Sequence, residues 1–180
     1  MICPEYLTEG LEVHFRRIQR ERMQGVPLLN PALEVKAVGF RGWQGRCLGV
    51  LVTPWFMNLM LLPAEGDEWE ELQIGTKQLH NLPSGDYEFV LGEEAGIGRY
   101  LSCSLFSPMF EFADQGAALA TAEAVMAALM QPVNRDGTPA GEIGRSEDPA
   151  AQGGGLSRRL AQPLSRRALL HRRLPRDPGS

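Results

Sequence analysis

The sequence has no Cys-x-x-Cys pair. Its three cysteines, Cys3, Cys47 and Cys103, stand far apart and are odd in number, which argues against both a zinc site and a disulfide framework. Its three histidines, His14, His80 and His171, are placed by no motif. The Gly-rich stretches, Gly96-x-Gly98 and Gly153–Gly155, do not join a strand to a helix, so a phosphate-binding loop is excluded. No apolar run reaches the roughly 20 residues that a membrane helix needs. The first residues, Met1-Ile2-Cys3-Pro4-Glu5, lack a basic segment followed by an apolar one, so no secretory signal is read here and the expected address is the cytoplasm, without membrane insertion.

What the chain does have is a dominant apolar window, Gly49 to Pro63, broken in the middle by Thr53-Pro54. Pro54 donates no backbone hydrogen bond and pushes Thr53 towards extended geometry. Two short strands joined by a turn fit this better than one helix, each apolar on both sides as a central strand is. Around them, Leu7, Leu11, Phe15 and Ile18 predict a helix over residues 6–23, closed by Gly25 and Pro27. Leu33, Val35 and Ala37 alternate with charged residues as in a half-buried strand, and Arg41–Gly45 reads as a hairpin turn. Residues 64–83 are less regular, with a short helical turn around Trp69. Tyr87, Phe89 and Leu91 predict a strand, Gly96–Gly98 a turn and Arg99–Leu105 a last strand. A second helix covers about 112–131, with a large stripe (Phe112, Leu119, Met126, Met130) beside an alanine stripe (Ala113, Ala117, Ala120, Ala124). The expected fold is α+β: a two-layer sandwich with an antiparallel sheet of about five strands and both helices on one face. Residues 1–135 form that domain, and 136–180 read as a Gly/Pro/Arg-rich flexible tail with a short basic motif at 164–174.

Charge divides in the same way. Residues 145–180 hold eight arginines and three acids, a net of +5, whereas residues 1–144 carry a net of −9. The basic tail alone would suit nucleic acid, but the acidic body and the lack of a nucleic-acid motif speak against that partner. A nucleophilic role for Cys103 would need a nearby base and a lowered pKa. Flanked by Ser102 and Ser104 on a strand, it reads as a small core residue.

Three segments together resemble the HybE/HupJ-type family of [NiFe]-hydrogenase assembly chaperones. They are Thr53-Pro54-Trp55 with the apolar strand to Pro63, the run Tyr100-Leu-Ser-Cys-Ser-Leu-Phe-Ser-Pro108, and Arg166-Arg167-Ala-Leu-Leu170. The resemblance covers roughly 7–135 and resumes near 164–174. It implies a small cytoplasmic α+β protein without cofactor, metal or catalytic residues that assists maturation of an uptake hydrogenase. Its implied partner is a hydrogenase structural subunit, such as the small subunit that carries a twin-arginine export signal. Some members of the family are joined to a rubredoxin domain, whose Cys-x-x-Cys pairs this chain does not have. Monomer and homodimer both remain open, as does an alternative reading as a thiol-dependent redox-protection factor or enzyme using Cys103.

The expected partner-binding residues are Trp55, Met57, Trp69, Tyr100, Arg166 and Arg167. Trp55 and Met57 offer aromatic and thioether surface beside the apolar strand. Ser165–Leu170 resembles the Ser-Arg-Arg-x-apolar-Leu core of a twin-arginine signal. Glu65, Asp67, Glu68, Glu70 and Glu71 around Trp69 would receive such arginines by ion pairing and stacking on the indole.

Overall fold

The structure is a computed structural model and describes residues 3–132. The tail, with Arg166 and Arg167, lies outside the described residues. Helix α1 (Glu5–Arg22) is followed by six strands, β1 (Lys36–Trp43), β2 (Arg46–Val52), β3 (Met57–Leu62), β4 (Lys77–Leu82), β5 (Gly85–Glu94) and β6 (Gly98–Phe106), and by helix α2 (Gln115–Leu129). The strands form one sheet in the order β1-β2-β3-β6-β5-β4, and every neighbouring pair is antiparallel.

The apolar window becomes the hairpin β2–β3, as its pattern predicts. All of β2 but Arg46 and all of β3 but Asn58 are buried. Thr53 closes the turn between them: its Oγ1 accepts from the Phe56 N–H at 2.9 Å, and its own N–H donates to the Phe56 carbonyl at 2.8 Å. The β1–β2 turn places Gln44 and Gly45 at φ of 47° and 83°, the left-handed pair of a two-residue hairpin. Gly49 is needed for close approach, because a Cβ there would overlap the Phe40 ring.

The α+β class, the antiparallel sheet and the terminal helices are as expected, but the layering differs. Leu48, Val50, Val52, Leu59 and Leu61 pack with Ala118, Ala122, Val125 and Met126 of α2. Leu51 and Met60, which alternate with them, pack with Leu11, Phe15 and Ile18 of α1. Period-two alternation sends these two sets to opposite faces, so the helices sandwich the sheet and the molecule has three layers rather than two. Strands apolar on both sides require a cover on each.

The sheet also curls around α2. A Cβ on Gly39 of β1 would lie 3.1 Å from Met126 Cγ, and Ser84, in the β4–β5 turn, donates its N–H to the Leu129 carbonyl at 3.2 Å. Strands from the two ends of the sheet thus reach a single turn of one helix. The buried stripe of α2 is Ala118, Ala122, Val125, Met126 and Leu129, not the alanine stripe at 113, 117, 120 and 124. Asp114 caps the helix by accepting from the Ala117 N–H at 2.8 Å, so α2 begins at Gln115, three residues later than the sequence pattern places its start.

Three further expectations are corrected. The 33–37 strand runs instead over 36–43, because Glu34 is held by Gln115 (2.9 Å from its N–H) outside the ladder. Within the irregular stretch 64–83, residues 77–82 form β4, with His80 on the strand. The alternation Gln78, His80, Leu82 is weakly apolar and hides the strand. Cys3 and Cys47 form a disulfide, with Cα atoms 5.5 Å apart. An odd count excludes full pairing but not one bond, and α1 brings residues 44 positions apart together.

The segment after β3 is pinned by arginines. Arg46 of β2 grips Asp67 through Nε (2.8 Å) and Nη2 (2.5 Å), and its guanidinium lies 5.4 Å from the Trp69 ring centroid. Arg99 of β6 donates to the Trp69 and Leu72 carbonyls. The Arg46 hydrogen bond, aided by the Ala64 N–H, holds the Asp67 carboxyl below its ordinary range against the opposing effect of burial. The stabilisation from this depressed pKa is therefore complete above the unfolded aspartate value of about 3.9 and is lost as pH falls through the lower folded value. Asp67→Asn should lower the urea midpoint at pH 7 and lose less than wild type between pH 7 and pH 2. Equal acid losses in the two proteins would show that the pair does not set acid stability.

Candidate functional site

At one end of the sheet three loops meet, around residues 26–33, 53–56 and 107–112. Their junction is Asn30, which is only 7 % exposed. Its N–H donates to the Pro54 carbonyl at 2.8 Å. Its Nδ2 donates to the carbonyls of Met109 at 3.0 Å and Phe112 at 2.8 Å, and its Oδ1 accepts from the Ala32 N–H at 3.0 Å. One buried residue, through its side-chain amide and its backbone N–H, therefore bonds backbone groups of all three loops, which fixes them to one another.

The loops so fixed present apolar side chains to solvent. Leu28 is 50 % and Phe110 56 % exposed, while Trp55 and Phe56 are half-buried. The Trp55 and Phe56 rings meet edge to face at 5.5 Å, and Phe56 meets Phe15 of α1 at 5.7 Å. The patch is thereby anchored to the outer-face core. Neighbouring Pro27, Pro31 and Pro108 restrict the same loops. Large apolar groups on a rigid support are the usual material of protein-binding surfaces.

Of the residues singled out in the sequence, Trp55 lies in this patch. Met57 is fully buried and faces the α2 side of the sheet, whereas Trp55 and Phe56 pack with the α1-side core. Tyr100 sits elsewhere, on the α1 face of β6 opposite Gly92. There burial and the nearby Glu94 push its phenol pKa up. Trp69 is 6 % exposed and belongs to the core. The expected combination of indole, carboxylate and arginine does exist, but Arg46 of the same chain supplies the cation. Glu65, Glu68, Glu70 and Glu71 remain exposed around it. Beside them is an open cleft of about 520 Å³ lined by Pro63, Asp67, Trp69, Glu70, Glu93 and Arg99.

Sequence reading missed Asn30, Leu28 and Phe110. Asn30-Pro31 is a recognisable turn signal, but nothing in the sequence says that the amide turns inward to serve distant loops.

Cys103 sits on β6 opposite Leu59, and burial, with Glu88 adding to it, raises its pKa, which lowers the supply of thiolate. Burial lowers the pKa of His80, whose ring lies 5.3 Å from Phe89. His14 approaches Glu94 at 3.5 Å, and Arg22 pairs with the same carboxylate at 3.0 Å. These contacts join α1 to β5. Among the described residues, no group of three His, Cys, Asp or Glu side chains is arranged to hold a metal, and no helix is long and apolar enough to cross a membrane.

The curled sheet between two helices, with an apolar loop surface at one end, defines a small α+β recognition scaffold. A family model described as "[NiFe]-hydrogenase assembly, chaperone, HybE" matches residues 6–172, and the chain belongs to that family. It is 46 % identical over 128 residues to the "Probable rubredoxin HupJ" of Rhodobacter capsulatus, a match that covers 71 % of this chain and 46 % of that protein. It is 46 % identical over 136 residues to the "Hydrogenase expression/formation protein HupJ" of Bradyrhizobium diazoefficiens, covering 76 % of each. The solution structure of HybE from Escherichia coli superposes with a TM-score of 0.58 at 24 % identity, over 83 % of this chain and 91 % of that one. That likeness concerns the fold.

Asn30→Ala would strand the Phe112 carbonyl, leave the Met109 carbonyl with only its bond from the Phe112 N–H at 3.2 Å, and free the loops. An unsatisfied buried group costs about 1–3 kcal/mol, so the variant should lose at least about 1 kcal/mol by urea denaturation. A loss under about 0.5 kcal/mol would show that the loops hold without this amide.

Proposed function

We propose that the chain is a non-catalytic chaperone for assembly of a [NiFe] uptake hydrogenase, acting in the cytoplasm by binding a hydrogenase subunit before export. The observation that carries this reading is the exposed apolar surface of Leu28, Trp55, Phe56 and Phe110, held rigid by Asn30 in a member of an assembly-chaperone family. Fixed loops lose little entropy when a client docks, so the apolar contact is retained as affinity. The client proposed is the small subunit, whose twin-arginine export signal must be withheld until its centres are in place. The acidic residues at 65–71 and 93, on a body of net −9, would favour approach of such a basic segment.

The test is capture of purified hydrogenase subunits, with and without their signal peptides, by the full chain and three variants. Trp55→Ala and Phe110→Asp should each weaken binding by about 30-fold, the scale of one interface aromatic. Their urea midpoints should stay near wild type. Cys103→Ser should bind and support maturation normally. Undiminished capture by both surface variants would remove the loops as the client surface, and loss of maturation with Cys103→Ser, binding intact, would replace this reading with a thiol-dependent one. Equal binding of small subunit with and without its signal would exclude the signal as a determinant.

A further inference from the structure

The disulfide between Cys3 and Cys47 sits where α1 is least secured by anything else. The apolar stripe that docks the helix, Leu11, Phe15 and Ile18, occupies its middle and last turns. The first turns hold Glu5, Tyr6 (69 % exposed), Glu9 and Gly10, and Leu7 is their one partly buried large apolar side chain. Pro4, at the N-cap position, offers no side-chain cap, and Gly10 weakens the helix interior. Towards the other end α1 is tied to Glu94 by His14 and Arg22. Residues 4–10 thus depend on the covalent link to β2.

Immediately beyond those residues, Glu12 seals the edge of the sheet. Its Oε1 accepts from the Ala37 N–H at 3.0 Å and pairs with Lys36 at 3.0 Å, and its Oε2 pairs with Arg16 at 2.8 Å. Arg16 in turn reaches the Val35 carbonyl at 3.3 Å. An open groove runs along this junction, lined by Cys3, Pro4, Thr8, Glu12, Lys36 and Phe40. The two sulfur-bearing residues differ in access: Cys47 is 4 % exposed, whereas Cys3 is only partly covered and borders the groove.

We propose that Cys3 and Cys47 are a redox site that exchanges with a small thiol or a protein dithiol and gates the first turns of α1 together with the β1 edge. The incoming thiolate attacks Sγ of Cys3, the accessible sulfur, and forms a mixed disulfide. The Cys3–Cys47 bond breaks, and Cys47 leaves as a thiolate that takes up a proton. A second thiol then attacks the mixed disulfide and releases Cys3 as a thiol. Two electrons pass from two thiols to the cystine, and the reductant leaves as its own disulfide. Once reduced, residues 4–10 lose their anchor, and Glu12 no longer holds the Ala37 N–H steadily. The β1 edge then has a free backbone donor for an added strand. Cys103, on β6 and packed against the α2-side core, takes no part.

The experiment equilibrates the full chain in glutathione buffers from fully oxidised to fully reduced. Acid quenching, denaturation and alkylation are followed by mass spectrometry, with hydrogen exchange measured at both ends of the series. Alkylatable thiols should rise from one to three in a single two-electron step. Amide exchange in residues 5–10 and at Ala37 should accelerate at least tenfold on reduction, while β3, β5 and β6 keep their protection. Cys3→Ser, which leaves the buried Cys47 in place, should show the reduced pattern in every buffer. Three alkylatable thiols in oxidised buffer would mean that no bond forms. Exchange unchanged on reduction, or accelerated throughout the sheet, would make the bond an inert link or a global staple. Each of these results overturns the proposal.

Discussion

Burial of β2 and β3 on both faces is the constraint from which the rest of the architecture follows. A strand pair carrying Leu48, Val50, Leu59 and Leu61 on one side and Leu51 and Met60 on the other cannot lie against solvent on either. At about 25 cal/mol per Å² of apolar surface, leaving one side uncovered would forfeit several kcal/mol. That is a large share of the stability of a domain this size. The chain supplies a cover for each side from its two helices. α2 enters the trough of the curled sheet, where small Ala118 and Ala122 let the backbone come close, while α1 crosses the outer face. The outer face of β4 and β5, which α1 does not reach, is mixed: Lys77 pairs with Glu88 at 2.9 Å and Asn81 with Asp86 at 2.7 Å, beside the exposed Leu79 and Val90.

Much of this was legible in the order of residues, for identifiable reasons. Signals confined to a short window survive translation into structure: the Thr53-Pro54 break, the stripe Leu11–Phe15–Ile18 and the alternation Tyr87–Phe89–Leu91 each depend on neighbours only. What was illegible depends on partners far along the chain. The side of the sheet on which α1 lies is decided by Leu51 and Met60, not by the helix. The start of β1 is set by Gln115, about 80 residues away, through its contacts with Glu34. β4 is an edge strand whose apolar content is low because only its inner side is covered. The pairing of Cys3 with Cys47 required knowing that the helix returns over the strand.

The candidate site divides along the same line. Trp55 was marked by its place in a turn too tight to hide an indole, and the structure leaves it half-buried. Met57, two residues on, looks equivalent in the sequence. Strand alternation turns it into the α2-side core, away from the surface. Trp69 shows the converse: a cluster of acids suggested a receptor for arginine, and Arg46 of the neighbouring strand already fills that place. Local composition identified the chemistry of the pair but not its ownership.

The two kinds of surface sit apart, and that separation has a physical use. Apolar groups in solvent invite self-association unless they are few and rigidly held. Leu28 and Phe110 are held on loops tied together by Asn30 and stiffened by prolines, whereas Tyr6, Val13, Ile74, Leu79 and Val90 are exposed elsewhere on the described residues. The acidic cluster at 65–71 follows the other end of β3, around the segment pinned by Arg46 and Arg99. An acidic body repels its own copies at long range, while the small apolar patch acts only at contact. Long-range charge then selects which partners approach, and short-range burial decides which remain. A scaffold of this kind can discriminate in this way, because selection needs fixed geometry at the loops and a field around them, and the three-layer core supplies the rigidity for both.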